Sequence, residues 1–175
     1  PSNEQRLLPE KECYLTADIL SDNQAREMAF GAHSPLRLPF RCAAKTGTST
    51  SFRDNWTLGF TAAFTVGVWV GNFDNTPMQD VSGVTGAGPI FRDVMLHLHE
   101  HRDATWPAQP AGIVRARIDP RTGHRLTPQA PPSRLSREEL FIEGKLPPPA
   151  SEADYDSRGR AMLPREYATW VASRE

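Results

Sequence analysis

The stretch Lys45-Thr46-Gly47-Thr48-Ser49 follows the small residues Cys42-Ala43-Ala44 and precedes two segments of strand-like composition. Residues 55–61 and 64–71 are rich in aromatic and β-branched side chains and are bounded by turn formers. Segments this close together pair most simply as neighbours. The sequence therefore predicts three consecutive antiparallel strands, with residues 45–48 on the first.

The residue types at 45–48 suggest a peptide-binding edge. Side chains two apart in a strand share a face, so the hydroxyls of Thr46 and Thr48 are predicted to reach one ligand carboxylate. Lys45 would place a cation beside a reacting group. Gly47 has no side chain, which lets a ligand backbone pair closely with the strand. The N–H of Thr48 would then face an acyl oxygen, as an oxyanion donor must. We therefore predict a catalytic Lys45 and a substrate-binding segment of Thr46, Gly47 and Thr48.

Several stretches together resemble a known family. They read Lys-Thr-Gly-Thr-Ser at 45–49, Asp-Asn-Trp-Thr-Leu-Gly-Phe at 54–60, Val-Gly-Val-Trp-Val-Gly-Asn at 66–72 and Gly-Ala-Gly-Pro-Ile-Phe-Arg-Asp-Val-Met at 86–95. They resemble the end of the transpeptidase domain of class A bifunctional penicillin-binding proteins, most nearly the 1C type. Residues 14–22 resemble the segment that this family carries before its Lys-Thr-Gly motif. The resemblance implies an α/β fold of the α+β type, an antiparallel sheet with packed helices, as in serine β-lactamases.

The resemblance also implies a function for the intact protein. It would be a periplasmic D,D-transpeptidase that binds stem peptides ending in D-Ala-D-Ala, with β-lactam antibiotics as mimics. Lys45 would support the hydroxyl of the family's S-x-N motif, while Thr46 and Thr48 would hold the substrate carboxylate. A glycosyltransferase domain and a membrane anchor would lie upstream, and other cell-wall synthesis proteins are candidate partners.

The family's nucleophilic motif S-x-x-K does not occur in this sequence. Ser34 is followed three residues later by Arg37, and Ser136 by Glu139. Residues 21–23 read Ser-Asp-Asn, but they lie too close to Lys45 to be the family's S-x-N loop, and Asp22 is better explained as a helix N-cap. We therefore expect a fragment that is inactive by itself.

Two other functions fit the same residues. A D,D-carboxypeptidase or a penicillin-hydrolysing relative shares the Lys-Thr-Gly motif and differs in the acceptor. A non-catalytic module that binds another cell-wall protein would use the strand at 45–48 only to complete a sheet.

Composition excludes several classes of partner and cofactor. The formal net charge is −1, so no basic footprint for nucleic acid exists. No apolar run reaches the length of a membrane span, and we expect any targeting segment upstream. The glycine-rich stretch 80–88 matches no phosphate or dinucleotide fingerprint, so it is predicted to be a flexible connector that lines the cleft, and no cofactor is implied. His97, His99 and His101 lack a zinc-protease pattern, and no metal site is predicted.

The first part of the chain is predicted to hold three helices. One runs from Pro9 to about Leu20 with Cys13, Ala17 and Leu20 on one face, and a second covers residues 23–30 and stops at Gly31. A third begins near Pro89, with an apolar stripe of Ile90, Phe91, Val94, Met95 and Leu98. For Cys13 and Cys42, buried free thiols are favoured over a disulfide.

The composition changes near residue 104, after which prolines accumulate. We assign residues 1–103 to the C-terminal part of the transpeptidase domain and residues 104–175 to a Pro-rich extension towards a further C-terminal domain. The extension is predicted to be poor in regular structure. Exceptions are a strand at 113–118, an apolar anchor at 140–142 that would pin the tail to the core, and a short helix at 165–173.

Overall fold

A computed structural model describes residues 7–130, 135–162 and 165–167. The chain divides into two compact units, Pro1–Gln109 and Pro110–Glu175. Within the described ranges, no helix is both long and apolar enough to cross a membrane.

Two helices precede the sheet: α1, Glu10–Ser21, and α2, Asn23–Phe30. Asp22 lies between them, and its carboxylate accepts hydrogen bonds from the backbone N–H groups of Gln24 at 2.8 Å and Ala25 at 3.0 Å. This confirms the predicted N-cap, which satisfies two donors that a helix leaves unpaired at its start. Gly31 ends α2 with φ at 76°, a conformation that glycine adopts without a Cβ clash.

The three predicted strands are confirmed. They are β1, Ala43–Thr48, β2, Asp54–Phe60, and β3, Thr65–Gly71, and they form an antiparallel sheet in the order β1-β2-β3. β1 is an edge strand of this sheet in the described part of the chain, with one side paired to β2. The motif at 45–48 therefore lies at a sheet edge.

Helix α3, Ala87–Leu98, packs on β2 and β3 and closes the core of the first unit. Phe91 and Met95 are fully buried, but Ile90 and Val94 are 49% and 39% exposed, so the predicted apolar stripe is wider than the face that packs. Gly59 is required here, because a Cβ at this position would lie 2.4 Å from the Ala43 carbonyl oxygen and 2.5 Å from the Phe91 ring.

The two cysteines are both free thiols, Cys42 buried and Cys13 exposed. The prediction that Cys13 packs inward with Ala17 was wrong for Cys13, whereas Ala17 is buried. A helix of this length and modest apolar content leaves several candidate faces, and only packing selects one.

The second unit contains a two-stranded antiparallel sheet of β4, Ile113–Ile118, and β5, Arg137–Ile142. The strand predicted at 113–118 is confirmed. Residues 140–142, predicted to anchor the tail to the core, lie in β5 and pair with Ile113, Val114 and Arg115. The strands β4 and β5 therefore give this part of the chain more regular structure than its prolines suggested. Arg165–Tyr167 form a 3₁₀ turn, and the rest of the predicted terminal helix lies outside the described residues.

Candidate functional site

Strand β1 places its two threonines on one face, where Thr46 is half-buried and Thr48 is exposed. Thr46 lies opposite Thr57, and Thr48 lies opposite Asn55. Residues directly opposite in an antiparallel pair share a face, and both β2 partners are fully buried. The Thr46 and Thr48 side chains therefore lie on the same face of the strand, as their spacing in the sequence predicted.

A loop between β3 and α3 packs against this threonine face. The N–H of Gly83 donates to the Thr48 hydroxyl oxygen at 3.0 Å, and the Thr57 hydroxyl donates to the Gly83 carbonyl at 2.9 Å. A Cβ at Gly83 would lie 2.9 Å from the Thr46 Cβ. The glycine-rich stretch predicted to be a flexible connector is thus bonded to the sheet directly beneath the motif.

Asn55 connects the same loop to the start of α3. Its side-chain oxygen accepts from the backbone N–H of Ala87 at 3.0 Å, and its amide nitrogen donates to the Val81 carbonyl at 3.4 Å. One fully buried amide therefore holds both ends of the segment that supports Thr48. Sequence reasoning missed Asn55, because an Asn within an aromatic strand carries no motif signal.

The backbone of β1 directs alternate residues to opposite sides. Ser49 donates its N–H to the Asp54 carbonyl at 3.0 Å, which puts the odd-numbered residues on the β2 side. The carbonyls of Ala44 and Thr46 instead accept hydrogen bonds from the side chains of Arg26 and Lys45. The backbone groups of residues 44, 46 and 48 therefore lie along the edge away from β2.

Lys45 and Gly47 occupy the opposite, exposed face of β1. They lie across from Leu58 and Trp56, which are 49% and 44% exposed. A Cβ at Gly47 would meet nothing within 4 Å, so the space over this residue is open. The Lys45 side chain leaves the strand on the face opposite the two threonines, but its ammonium turns to the strand edge and donates to the Thr46 carbonyl.

Asp54, the first residue of β2, lies at one end of this exposed face. Its carboxylate accepts from the indole N–H of Trp69 at 3.1 Å, and hydrogen bonds from Ser49 and Trp69 lower the pKa of the Asp54 carboxyl. The Trp69 ring lies over Gly71, where a Cβ would approach it to 2.6 Å. The carboxylate is therefore held ionised by local hydrogen bonds and fixes the tryptophan beside the open face.

The histidines at the end of the third helix have separate contacts. His99 Nε2 lies 3.0 Å from the Thr61 hydroxyl, and its Nδ1 lies 2.9 Å from the Arg102 carbonyl. His97 lies 3.4 Å from a carboxylate oxygen of Glu100. Within the described ranges, no group of three His, Cys, Asp or Glu residues is arranged to hold a metal ion.

Comparison with known proteins identifies the family. The family described as Penicillin-binding protein 1A, C-terminal domain, matches residues 109–151. Penicillin-binding protein 1A of Pseudomonas aeruginosa is 30% identical over 166 residues, which are 94% of this chain and 20% of that protein. Penicillin-binding protein 1C of Escherichia coli is 37% identical over 68 residues, which are 39% of this chain and 9% of that protein.

A solved structure gives the same result. The crystal structure of Penicillin-Binding Protein 1A from Haemophilus influenzae matches 63% of this chain and 16% of that chain, with a TM-score of 0.52 and 25% sequence identity. The chain spans about a fifth or less of the length of the relatives that it matches. Sequence and fold agree, and the chain corresponds to part of the C-terminal region of a class A penicillin-binding protein.

Proposed function

We propose that this segment supplies the substrate-binding strand of a peptidoglycan D,D-transpeptidase, whose nucleophilic serine lies in a part of the protein outside this chain. The observation that carries the proposal is the edge of β1, where the backbone groups of Thr46 and Thr48 face away from β2. A peptide that pairs with this edge extends the sheet by one strand, a common mode of peptide recognition.

Each residue of the motif has a role in this proposal. The Thr48 N–H donates to the oxygen of the acyl carbonyl. It stabilises the negative charge that develops on this oxygen as the tetrahedral intermediate forms. Thr46 and Thr48 bind the terminal carboxylate, and Gly47 leaves room for the ligand backbone. The Lys45 ammonium lies at the strand edge, against the Thr46 carbonyl, where it would support proton transfer at the incoming serine and the S-x-N hydroxyl.

The reaction would proceed through an acyl-serine. The serine oxygen attacks the carbonyl of the penultimate D-Ala, the terminal D-Ala leaves with the proton from that hydroxyl, and an amine of a second stem peptide then accepts the acyl group. A β-lactam acylates the same serine.

The intact protein would be a bifunctional synthase, anchored in the membrane by an upstream segment and facing the periplasm. Residues 1–103 would complete its transpeptidase domain and residues 104–175 would lead to a further domain.

The test uses a full-length protein that joins this segment to its nucleophile. Lys45→Ala is expected to reduce acylation by a fluorescent penicillin by about two orders of magnitude or more, the usual contribution of a group that assists proton transfer. Lys11→Ala, the same change on the first helix, is the matched control and should label normally. Equal labelling of the Lys45→Ala and wild-type proteins would refute the role of Lys45.

The 175-residue chain gives a second test. Mass spectrometry after incubation with penicillin should show no covalent adduct, because the chain has no Ser-x-x-Lys. An adduct would place a nucleophile within this segment and contradict the proposal. If the full-length protein itself does not react with penicillin, the non-catalytic binding module is the better description.

A further inference from the structure

Arg26 of the second helix reaches the same edge of β1 that the proposed substrate would use. Its Nη1 donates to the Ala44 carbonyl at 3.5 Å, and its Nη2 donates to the Asn23 side-chain oxygen at 2.7 Å. Ala44, Thr46 and Thr48 share this edge because alternate residues of a strand face the same side. Of the three carbonyls on this edge, the Arg26 guanidinium contacts that of Ala44 and the Lys45 ammonium contacts that of Thr46. A strand docked along the whole edge would have to displace Arg26 to pair at Ala44.

The position of Arg26 is costly for the fold. Its Nε is buried and has no hydrogen-bond partner in the part of the chain that the structure describes. Burial lowers the pKa of Arg26, against the opposing effects of Cys42 and the Asp22 carboxylate. An unsatisfied buried donor in a native structure calls for an explanation beyond stability, and a cation at a peptide-binding edge provides one.

Strand geometry determines where a ligand would meet this cation. A peptide docked antiparallel to β1 with its acyl oxygen at the Thr48 N–H runs back towards Thr46, with residues about 3.3 Å apart. The residue after the acyl carbonyl then lies over Gly47, and its carboxylate lies near Thr46. A chain that continued three residues further would reach Ala44, where Arg26 occupies the carbonyl.

We propose that Arg26 is the residue that restricts this site to peptide chain ends: it closes the β1 edge at Ala44 and its charge favours a free terminal carboxylate beside Thr46. This rests on the proposed transpeptidase function and adds a specificity determinant to it. An internal peptide segment would have to displace the guanidinium, whereas a chain ending one residue after the acyl carbonyl fits and gains the attraction of the cation.

The experiment measures selectivity in the full-length protein. Three peptides share an acyl donor and end in D-Ala-D-Ala with a free carboxylate, in the corresponding amide, or in three further residues. The ratios of kcat/KM for the free acid over each of the other two are the readouts. A purely structural Arg26 would lower all three values together and leave both ratios unchanged.

Arg26→Ala is expected to lower both ratios by about fivefold or more. Loss of the cation lowers the acid-over-amide ratio, because a charge two strand residues away still attracts a carboxylate. Loss of the side chain from the Ala44 edge lowers the ratio for the extended peptide. Arg26→Gln keeps a long side chain that can donate hydrogen bonds but removes the charge. It should therefore lower the acid-over-amide ratio and leave the ratio for the extended peptide high. If the Ala variant does not fold, the Gln variant still tests whether the charge of Arg26 determines the acid-over-amide ratio. Arg37→Ala, which removes an exposed ion pair with Glu27 at 3.7 Å, is the control and should change neither ratio.

Two outcomes separate this inference from the proposed function. If penicillin labels the wild-type protein in a Lys45-dependent manner and both ratios are insensitive to Arg26, the specificity role is wrong while the function stands. If penicillin does not label the wild-type protein, the proposed function fails first, and the specificity role fails with it.

Discussion

Gly83 and Thr48 are joined by a hydrogen bond from the glycine N–H to the threonine hydroxyl, 3.0 Å long, across 35 residues of sequence. The bond fixes the Thr48 side chain as an acceptor for the loop, which leaves its hydroxyl proton available to a ligand oxygen. The carbonyl of Gly83 in turn accepts a hydrogen bond from the Thr57 hydroxyl. The carboxylate-binding face of the proposed site is therefore built on a loop that lies far from the motif in sequence.

Gly83→Ala should destabilise the protein and disturb the motif together. The new Cβ would lie 2.8 Å from the Trp56 carbonyl and 3.0 Å from the Gly47 carbonyl, which are backbone atoms that cannot rotate away. Overpacking of this kind costs about 1–3 kcal/mol in the free energy of unfolding, measured by chemical denaturation. Gly47→Ala is the control, because its Cβ would enter open space. Comparable losses of stability in the two variants would contradict the packing described for Gly83.

Thr57→Val should separate the hydrogen bond of Thr57 from its packing. Valine has nearly the same shape, but it leaves the buried Gly83 carbonyl without this donor, at a cost of about 1–3 kcal/mol. Thr57→Ser retains the hydroxyl and should keep the Gly83 bond at the cost of one methyl group. The free energies of unfolding, with β-lactam acylation of the full-length protein as a second readout, should rank wild type above Ser and Ser above Val. A valine variant as stable as wild type would show that the loop is held by other contacts.

Local signals in the sequence predicted the elements that carry the motif. Aromatic and β-branched runs bounded by turn formers predicted three strands, and Asp22 with Gly31 predicted both ends of α2; all of these are confirmed. These features succeed because each depends on neighbours within a few residues. The edge position of β1 also followed from the order of the strands.

Contacts between distant residues were not predictable in the same way. The bonds of Gly83 to Thr48 and of Arg26 to Ala44 join residues 35 and 18 positions apart, and no periodicity encodes them. The exposure of Ile90 and Cys13 depends on which face packing selects. The pairing of β5 with β4 was missed, because the prolines around these strands suggested an extended tail, whereas tertiary pairing overrides that local tendency.

The two cysteines should react at very different rates with a thiol reagent. Cys13 is exposed on α1, whereas Cys42 is 3% exposed and burial raises the pKa of its thiol to about 11. At pH 8 the native protein should therefore alkylate at Cys13 within minutes, and Cys42 should require denaturant. Mass spectrometry of peptides after iodoacetamide treatment assigns the sites. Rapid native labelling of Cys42 would mean that the edge beside Ala43 opens readily.

The same thiol predicts a loss of stability at alkaline pH. Burial raises the pKa of Cys42 from its ordinary value of 9.0 to about 11, although the charge of Arg26 acts in the opposite direction. Because the unfolded chain releases this proton first, the contribution is fully present below pH 9 and is lost as the pH rises towards 11. The free energy of unfolding should therefore fall across this window by up to about 2–3 kcal/mol more than in Cys42→Ala, which has no thiol to ionise. Parallel pH profiles for wild type and Cys42→Ala would show that Cys42 ionises equally easily in the folded and unfolded states.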